Sequence, residues 1–372
     1  MKGISVMKSL IINKKDLAHN IDVLKRISRM QIIRPETDYK IIGVVKGNGY
    51  GLGLVEYSKF LVDHGIEILA VANIEELITL RNAGITTDIL MLTPTPIKEE
   101  LEILIGNNAI ITISSRKDAE VANEIAKEGK TIRTHIAIDT GFGRYGFLYN
   151  DDNLKNVLQN LDPNIKIEGL FSHFSFAYYE NNCWTKKQFN RFIDALQIFR
   201  SLNIDLKMVH ICNSAAYLNY YNMHLNAARI GSAILGRVDN NKIGLKKIGQ
   251  IKSQVTEIKI LPKGYNVGYL NIFKTKKETK IAIIPVGYMD GFYAGTKNDM
   301  FRVRDKLRNI KEIIKKNKIE IEINGKKYPI IGKIGMYHIT VDITGSDIKE
   351  GDYVYLNVNI MHVDSNLRRE FV

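Results

Sequence analysis

Eight short apolar runs, separated by amphipathic stretches, fill residues 40–231 and limit the folds open to this chain. They are KIIGVV (40–45), EILAVAN (67–73), DILMLT (88–93), AIITIS (109–114), THIAID (134–139), IKIEGLFSHF (165–174), KMVHIC (207–212) and LNAARIG (225–231). Each is short, rich in β-branched residues and continuous rather than alternating, as strands buried on both faces must be. Between them lie helical patterns such as GLVEYSKFLVDHG, IEELITLRNAG, RKDAEVANEIAKEG and TKKQFNRFIDALQIFRSLN, several closing on Gly or Asn. A further amphipathic helix, KKDLAHNIDVLKRIS, precedes the first run. Eight strands with interposed helices, over nearly the ~250 residues usual for the fold, predict an α/β architecture of (β/α)8 TIM type. An open doubly wound sheet is the runner-up, for which about six strands would be expected.

Beyond residue 240 the texture changes to SQVTEIKIL, KIAIIPV, KIEIEIN, HITVDIT and YVYLNVN, divided by Gly, Asn and Lys turns. A C-terminal, mostly-β domain is expected there. We place the barrel at 12–237 and the β domain at 238–372 together with 1–11. One charged helix-like piece, DKLRNIKEIIKKN, interrupts the β region.

Composition removes several function classes. No run approaches the ~18 apolar residues of a membrane span, and Lys8, Lys14 and Lys15 interrupt the start before a signal-peptide core can form. Cys183 and Cys212 have no metal-ligand spacing and cannot build a disulfide framework. A reducing cytoplasm is expected, with no metal and no membrane. The 53 basic against 40 acidic side chains give +13, which favours anionic ligands. The charge is dispersed beside acids, without interleaved aromatics or a nucleic-acid motif, so a solvated lysine-rich surface is the better reading.

The informative residues gather where strands end. The first run leads into VVKGNGYGLG, placing Lys46 at a barrel mouth, followed by Gly47, Gly49 and Gly51. Burial there disfavours the ammonium, and a neutral amine suits carbonyl chemistry, including a Schiff base with pyridoxal phosphate. A rim ion pair is the other reading. The fifth run ends in AIDTGFGRYGF, which puts Arg144 on a glycine-permitted loop at the same rim, where a solvent-facing arginine is the alternative. His173 and His210 follow at matching positions on strands six and seven. Either could be a satisfied core histidine, but their recurrence favours the site. Asn213-Ser214 opens a short helix after strand seven and Gly231-Ser232 follows strand eight, the loops that commonly hold a phosphate in this fold. Ser214 could equally be an N-cap. Arg229 lies in an apolar strand, where a guanidinium must be paired or must meet a ligand. Lysine, phosphate cradle and buried arginine together point to a pyridoxal-phosphate site more than to any other common cofactor.

With VVKGNGYGLG, DTGFGRYGF, FSHFSF, HICNSAA, RIGSAILG, NVGY, PVGYMDGF and PIIGKIGM in this order, the chain resembles the alanine racemase family (pyridoxal-phosphate enzymes of fold type III) over nearly its whole length. The resemblance implies a cytoplasmic homodimer with shared active sites, converting L-alanine to D-alanine for cell-wall peptidoglycan. It implies that Lys46 carries pyridoxal 5'-phosphate and moves the α-proton on one face. Tyr269, from the β domain of a second subunit, would act on the other. Arg229 would meet the pyridine nitrogen, with His173 and His210 supporting it. Tyr50, Asn213, Ser214, Gly231 and Ser232 would complete the cofactor site, and Arg144 and Met336 would place the substrate carboxylate. The chain departs from the family at Ala137, where a lysine is frequent, at Tyr337 and at Ser365. Serine or broad-specificity racemisation is the alternative, and decarboxylation on the same barrel plan is a more distant one.

Overall fold

The computed structural model describes residues 8–30, 39–238, 243–294 and 319–372. The chain divides into two compact units, 15–247 and 1–14 with 248–372.

The larger unit carries the predicted barrel. Its strands, numbered β1–β8, are Lys40–Val44, Ile68–Val71, Asp88–Met91, Ala109–Ile113, Ile132–Asp139, Ile165–Phe171, Met208–His210 and Ala227–Ile230. They are parallel, and β8 pairs with β1. The Arg229 N–H donates to the Cys212 carbonyl at 3.0 Å, drawing β8 to the chain just past β7, so the barrel is nearly closed. All eight apolar runs are therefore strands. The observed β6 and β7 end at Phe171 and His210, earlier than their runs, and just beyond β6 the Ser172 carbonyl accepts from the Arg229 guanidinium. The helices follow the amphipathic pattern, among them Lys14–Met30, Leu54–Asp63, Ile74–Asn82, Arg116–Lys127 and Cys183–Ser201.

Strand periodicity sets what fills the barrel. Ile42, Val44, Ile68, Ala70, Leu90, Ile110, Met208 and Ala227 form one buried cluster. Lys46, His210 and Arg229 continue the two-residue spacing of Val44, Met208 and Ala227 toward the C-terminal strand ends. An ion network at the opposite end joins Arg133 to Asp88 and Glu168, and Glu168 to Lys207. It leaves the C-terminal mouth for chemistry.

The smaller unit is mostly β, as expected. Lys326–Pro329, Glu320–Ile323, Tyr353–Asn357, Gln250–Gln254, Lys8–Ile12 and Arg369–Phe371 form a six-stranded sheet in that order. Glu257–Leu261, Thr279–Ile284 and Ile339–Asp342 form a three-stranded one. The run SQVTEIKIL is thus two strands in different sheets, broken at 255–256. The helix-like piece DKLRNIKEIIKKN lies outside the described residues.

Candidate active site

After β1 the backbone does something rare for L-residues. Gly47, Asn48, Gly49, Tyr50 and Gly51 all have positive φ, between 54° and 89°, giving a left-handed turn directly after Lys46. Glycine enters this region without steric cost, whereas other residues give up about 1–2 kcal/mol each. A buried carboxylate offsets part of that: Glu76 Oε1 accepts the N–H groups of Gly47 at 2.6 Å and Asn48 at 3.3 Å, and Oε2 accepts that of Ala72 at 3.2 Å. The Asn48 side chain closes the turn by accepting the Leu54 N–H at 2.9 Å.

Lys46 is half-buried. Burial first, then Arg144 and Arg229, lowers its pKa from the usual lysine value, with Glu76 opposing. The amine therefore reaches its neutral, nucleophilic form more readily than a surface lysine.

Arg229 is buried and has no carboxylate partner among the described residues; it is spent on neutral acceptors instead. Its Nη1 donates to His210 Nδ1 at 2.5 Å and to the His210 carbonyl at 3.3 Å. Its Nη2 donates to the Ser172 carbonyl at 2.5 Å and to His173 Nδ1 at 3.1 Å. Four of the five guanidinium N–H groups are so used, and the fifth, on Nε, meets no acceptor among the described residues. Burial pushes Arg229 down to about 10, still charged at neutral pH. Burial and the Arg229 charge push both His173 and His210 well below the usual histidine range, so both rings are neutral.

A second cradle joins the ends of β7 and β8. The Ser214 hydroxyl oxygen accepts the N–H groups of Gly231 at 3.1 Å and Ala233 at 3.2 Å. With both lone pairs occupied, its proton must point elsewhere, as a donor. Tyr50 lies against Gly231: a Cβ there would sit 2.5 Å from the phenol oxygen. Burial raises the Tyr50 pKa, which keeps the phenol protonated and donating. Asn213 caps the helix Ser214–Asn219 by accepting the Ala216 N–H at 3.0 Å, and its amide nitrogen lies 3.4 Å from His173 Nε2. Ser232 follows Gly231, and its backbone carbonyl accepts from Leu235 and Arg237.

Arg144 arrives from the loop after β5. Asp139 folds that loop by accepting three successive N–H groups, from Gly141, Phe142 and Gly143. The Arg144 guanidinium lies 4.4 Å over the Phe142 ring, and Phe142 meets His173 edge-on at 5.1 Å. The barrel mouth therefore assembles Lys46, Tyr50, Arg144, His173, His210, Asn213, Ser214, Arg229, Gly231 and Ser232. Tyr269 and Met336 belong to the smaller unit. Tyr269 is 64% exposed on a short turn, and Met336, exposed, lends its carbonyl to the Met289 N–H at 3.0 Å.

Residues 12–238 match the model of the alanine racemase N-terminal domain, and residues 248–364 that of the alanine racemase C-terminal domain. This chain belongs to the alanine racemase family. It is 34% identical over 354 residues to the alanine racemase of Clostridium novyi, covering 93% of this chain and 84% of that one. The solved alanine racemase of Clostridium difficile superposes with a TM-score of 0.84 at 29% identity, covering 100% of this chain and 97% of its own. The alanine racemase of Bartonella henselae, solved with covalently bound pyridoxal phosphate, shares the fold with a TM-score of 0.80 at 22% identity over 99% of this chain and 100% of that one.

Two buried groups of this family member escaped the sequence reading. Glu76 lies within the helical pattern IEELITLRNAG and His135 within the run THIAID, and neither is singled out by its spacing. What distinguishes them is contact across strands, which no local spacing encodes.

Proposed function

We propose that the chain racemises alanine with pyridoxal 5'-phosphate, L- to D-alanine, supplying D-alanine for cell-wall peptidoglycan in the cytoplasm. The observation that carries this is Arg229, a buried guanidinium held by neutral acceptors with its Nε–H unspent. That donor matches an unprotonated pyridine nitrogen and cannot give up its proton to it, unlike a carboxylic acid, which a decarboxylating relative would place there. The rest of the donor set fits the same cofactor: the Ser214 hydroxyl and Tyr50 phenol offer protons to a phosphate beside Gly231, where no side chain would leave room. When bound, the cofactor supplies the electron sink that acidifies the α-hydrogen of an amino acid.

The chain's own groups then do the proton work. The lowered basicity of Lys46 would suit its amine to hold the cofactor aldehyde and to take or return the α-proton on one face. Inversion needs a second group on the opposite face, and we assign Tyr269 of a second copy of the chain to it. Its exposure, with Tyr265, Leu270 and Ile272 exposed around it in sequence, is what a shared site in a homodimer requires. Arg144 and Met336 are assigned to the substrate carboxylate. Both cysteines are free thiols, as a reducing compartment allows, and among the described residues no helix is long and apolar enough to cross a membrane.

The test is incubation of the loaded protein with single L-amino acids in deuterated water. The expected result is α-deuterium in both enantiomers of alanine. Exchange confined to serine, or release of carbon dioxide, would overturn the substrate and the reaction respectively.

A further inference from the structure

Beside His210 lies a third histidine, hydrogen-bonded to it. His135 on β5 is fully buried, and among the described residues its Nε2 has no hydrogen-bond partner. Leaving such an N–H buried and unmet costs about 1–3 kcal/mol. The fold also makes room for it. The β5–β6 register shifts at Thr134/His135, and the residue then opposite is Gly169, where a Cβ would lie 2.6 Å from the imidazole. An aliphatic side chain would fill this place without an unmet N–H.

The hydrogen-bond chain shows what the ring is for. Arginine has no acceptor, so the 2.5 Å contact from Arg229 Nη1 requires a bare Nδ1 on His210. Neutral His210 must then carry its proton on Nε2, 3.0 Å from His135 Nδ1. His135 Nδ1 must in turn be bare, which forces its own proton onto the partnerless Nε2. Packing fixes the plane of the His210 ring, stacked on Phe171 with centroids 5.3 Å apart and 4° between planes, but packing cannot choose between tautomers. Arg229 on one ring nitrogen and His135 on the other make that choice together. We propose, on the reading of the site given above, that His135 is a positioning residue: its Nδ1 locks His210 as an acceptor and so holds the Arg229 guanidinium with Nε–H free for the cofactor ring. Its burial-depressed basicity, down to about 3, keeps it an acceptor throughout the neutral range.

Two full-length variants separate positioning from packing. His135→Asn keeps an acceptor oxygen near the place of Nδ1; His135→Leu has similar bulk and none. In cofactor-free protein, nitrogen-15 NMR of the imidazoles should show His210 bare at Nδ1 in the wild type and in His135→Asn, and protonated there for a substantial fraction in His135→Leu. In loaded protein, kcat for alanine should fall about ten- to a hundredfold in His135→Leu and less than about threefold in His135→Asn, with KM within about threefold in both. The proposal is overturned if wild-type His210 carries its proton on Nδ1, a result independent of whether any variant folds. Equal loss of kcat in both variants, in step with melting temperature, also overturns it. A wild type that racemises nothing defeats the functional reading instead, and leaves the tautomer measurement standing.

Discussion

Glu76 Oε1 lies 2.6 Å from the backbone nitrogen of Gly47, the residue that follows Lys46. One carboxylate from the helix after β2 thus fastens the turn after β1. Glu76→Ala leaves three backbone N–H groups without their acceptor and should cost about 2–4 kcal/mol in urea unfolding, with racemisation reduced about a hundredfold. Glu76→Gln, which keeps an acceptor oxygen, should lose roughly a third of that stability. Equal stability of wild type and Glu76→Ala would show that the left-handed turn holds itself.

The phenol of Tyr50 occupies the space a side chain at 231 would need. Gly231→Ala should therefore displace Tyr50 and weaken pyridoxal-phosphate binding about tenfold or more, read by fluorescence titration of the apoprotein. The effect should not add to that of Tyr50→Ala, because the clash vanishes with the ring. Additive losses would mean that the two residues act apart.

How much of this the sequence disclosed follows from what each pattern encodes. The two-residue period of the strand interiors carries Lys46, His210 and Arg229 to one mouth, so those three are legible from spacing once eight strands are counted. The same reading finds Gly47, Gly49 and Gly51 as punctuation, but not that Asn48 and Tyr50 adopt positive φ beside them, because the tether is Glu76, nearly thirty residues on. His135 is hidden for a like reason: its contact with His210 runs from β5 to β7, and the room for its ring comes from Gly169 on β6. The run SQVTEIKIL shows the limit in the β unit, where one continuous apolar pattern serves two sheets.

Racemisation by groups on two faces has a one-sided signature. Tyr269→Phe should abolish solvent exchange of the α-hydrogen of one alanine enantiomer by about a hundredfold or more, while the other still exchanges. Equal slowing of both would assign Tyr269 to binding rather than to proton transfer.

Acid should unfold this protein through its barrel histidines. His135, His173 and His210 are neutral in the fold, with His135 down to about 3 by burial. Histidine in the unfolded chain takes up a proton near pH 6.5. Stability is then complete above that pH and falls as the pH drops from 6.5 toward 3, because the unfolded state binds protons that the fold refuses. His135 alone accounts for about 2 kcal/mol between pH 7 and pH 5. Urea midpoints of the apoprotein across that range check it, and His135→Leu should flatten the slope by about that amount.

The account turns on which amine holds the cofactor. Reducing the pyridoxal-phosphate-loaded protein with borohydride, digesting it and mapping the pyridoxyl group by mass spectrometry answers this in one step. Stoichiometric label on Lys46, lost in Lys46→Ala, is the predicted result; label on any other lysine, or none, would contradict the assignment of this barrel mouth as the catalytic centre.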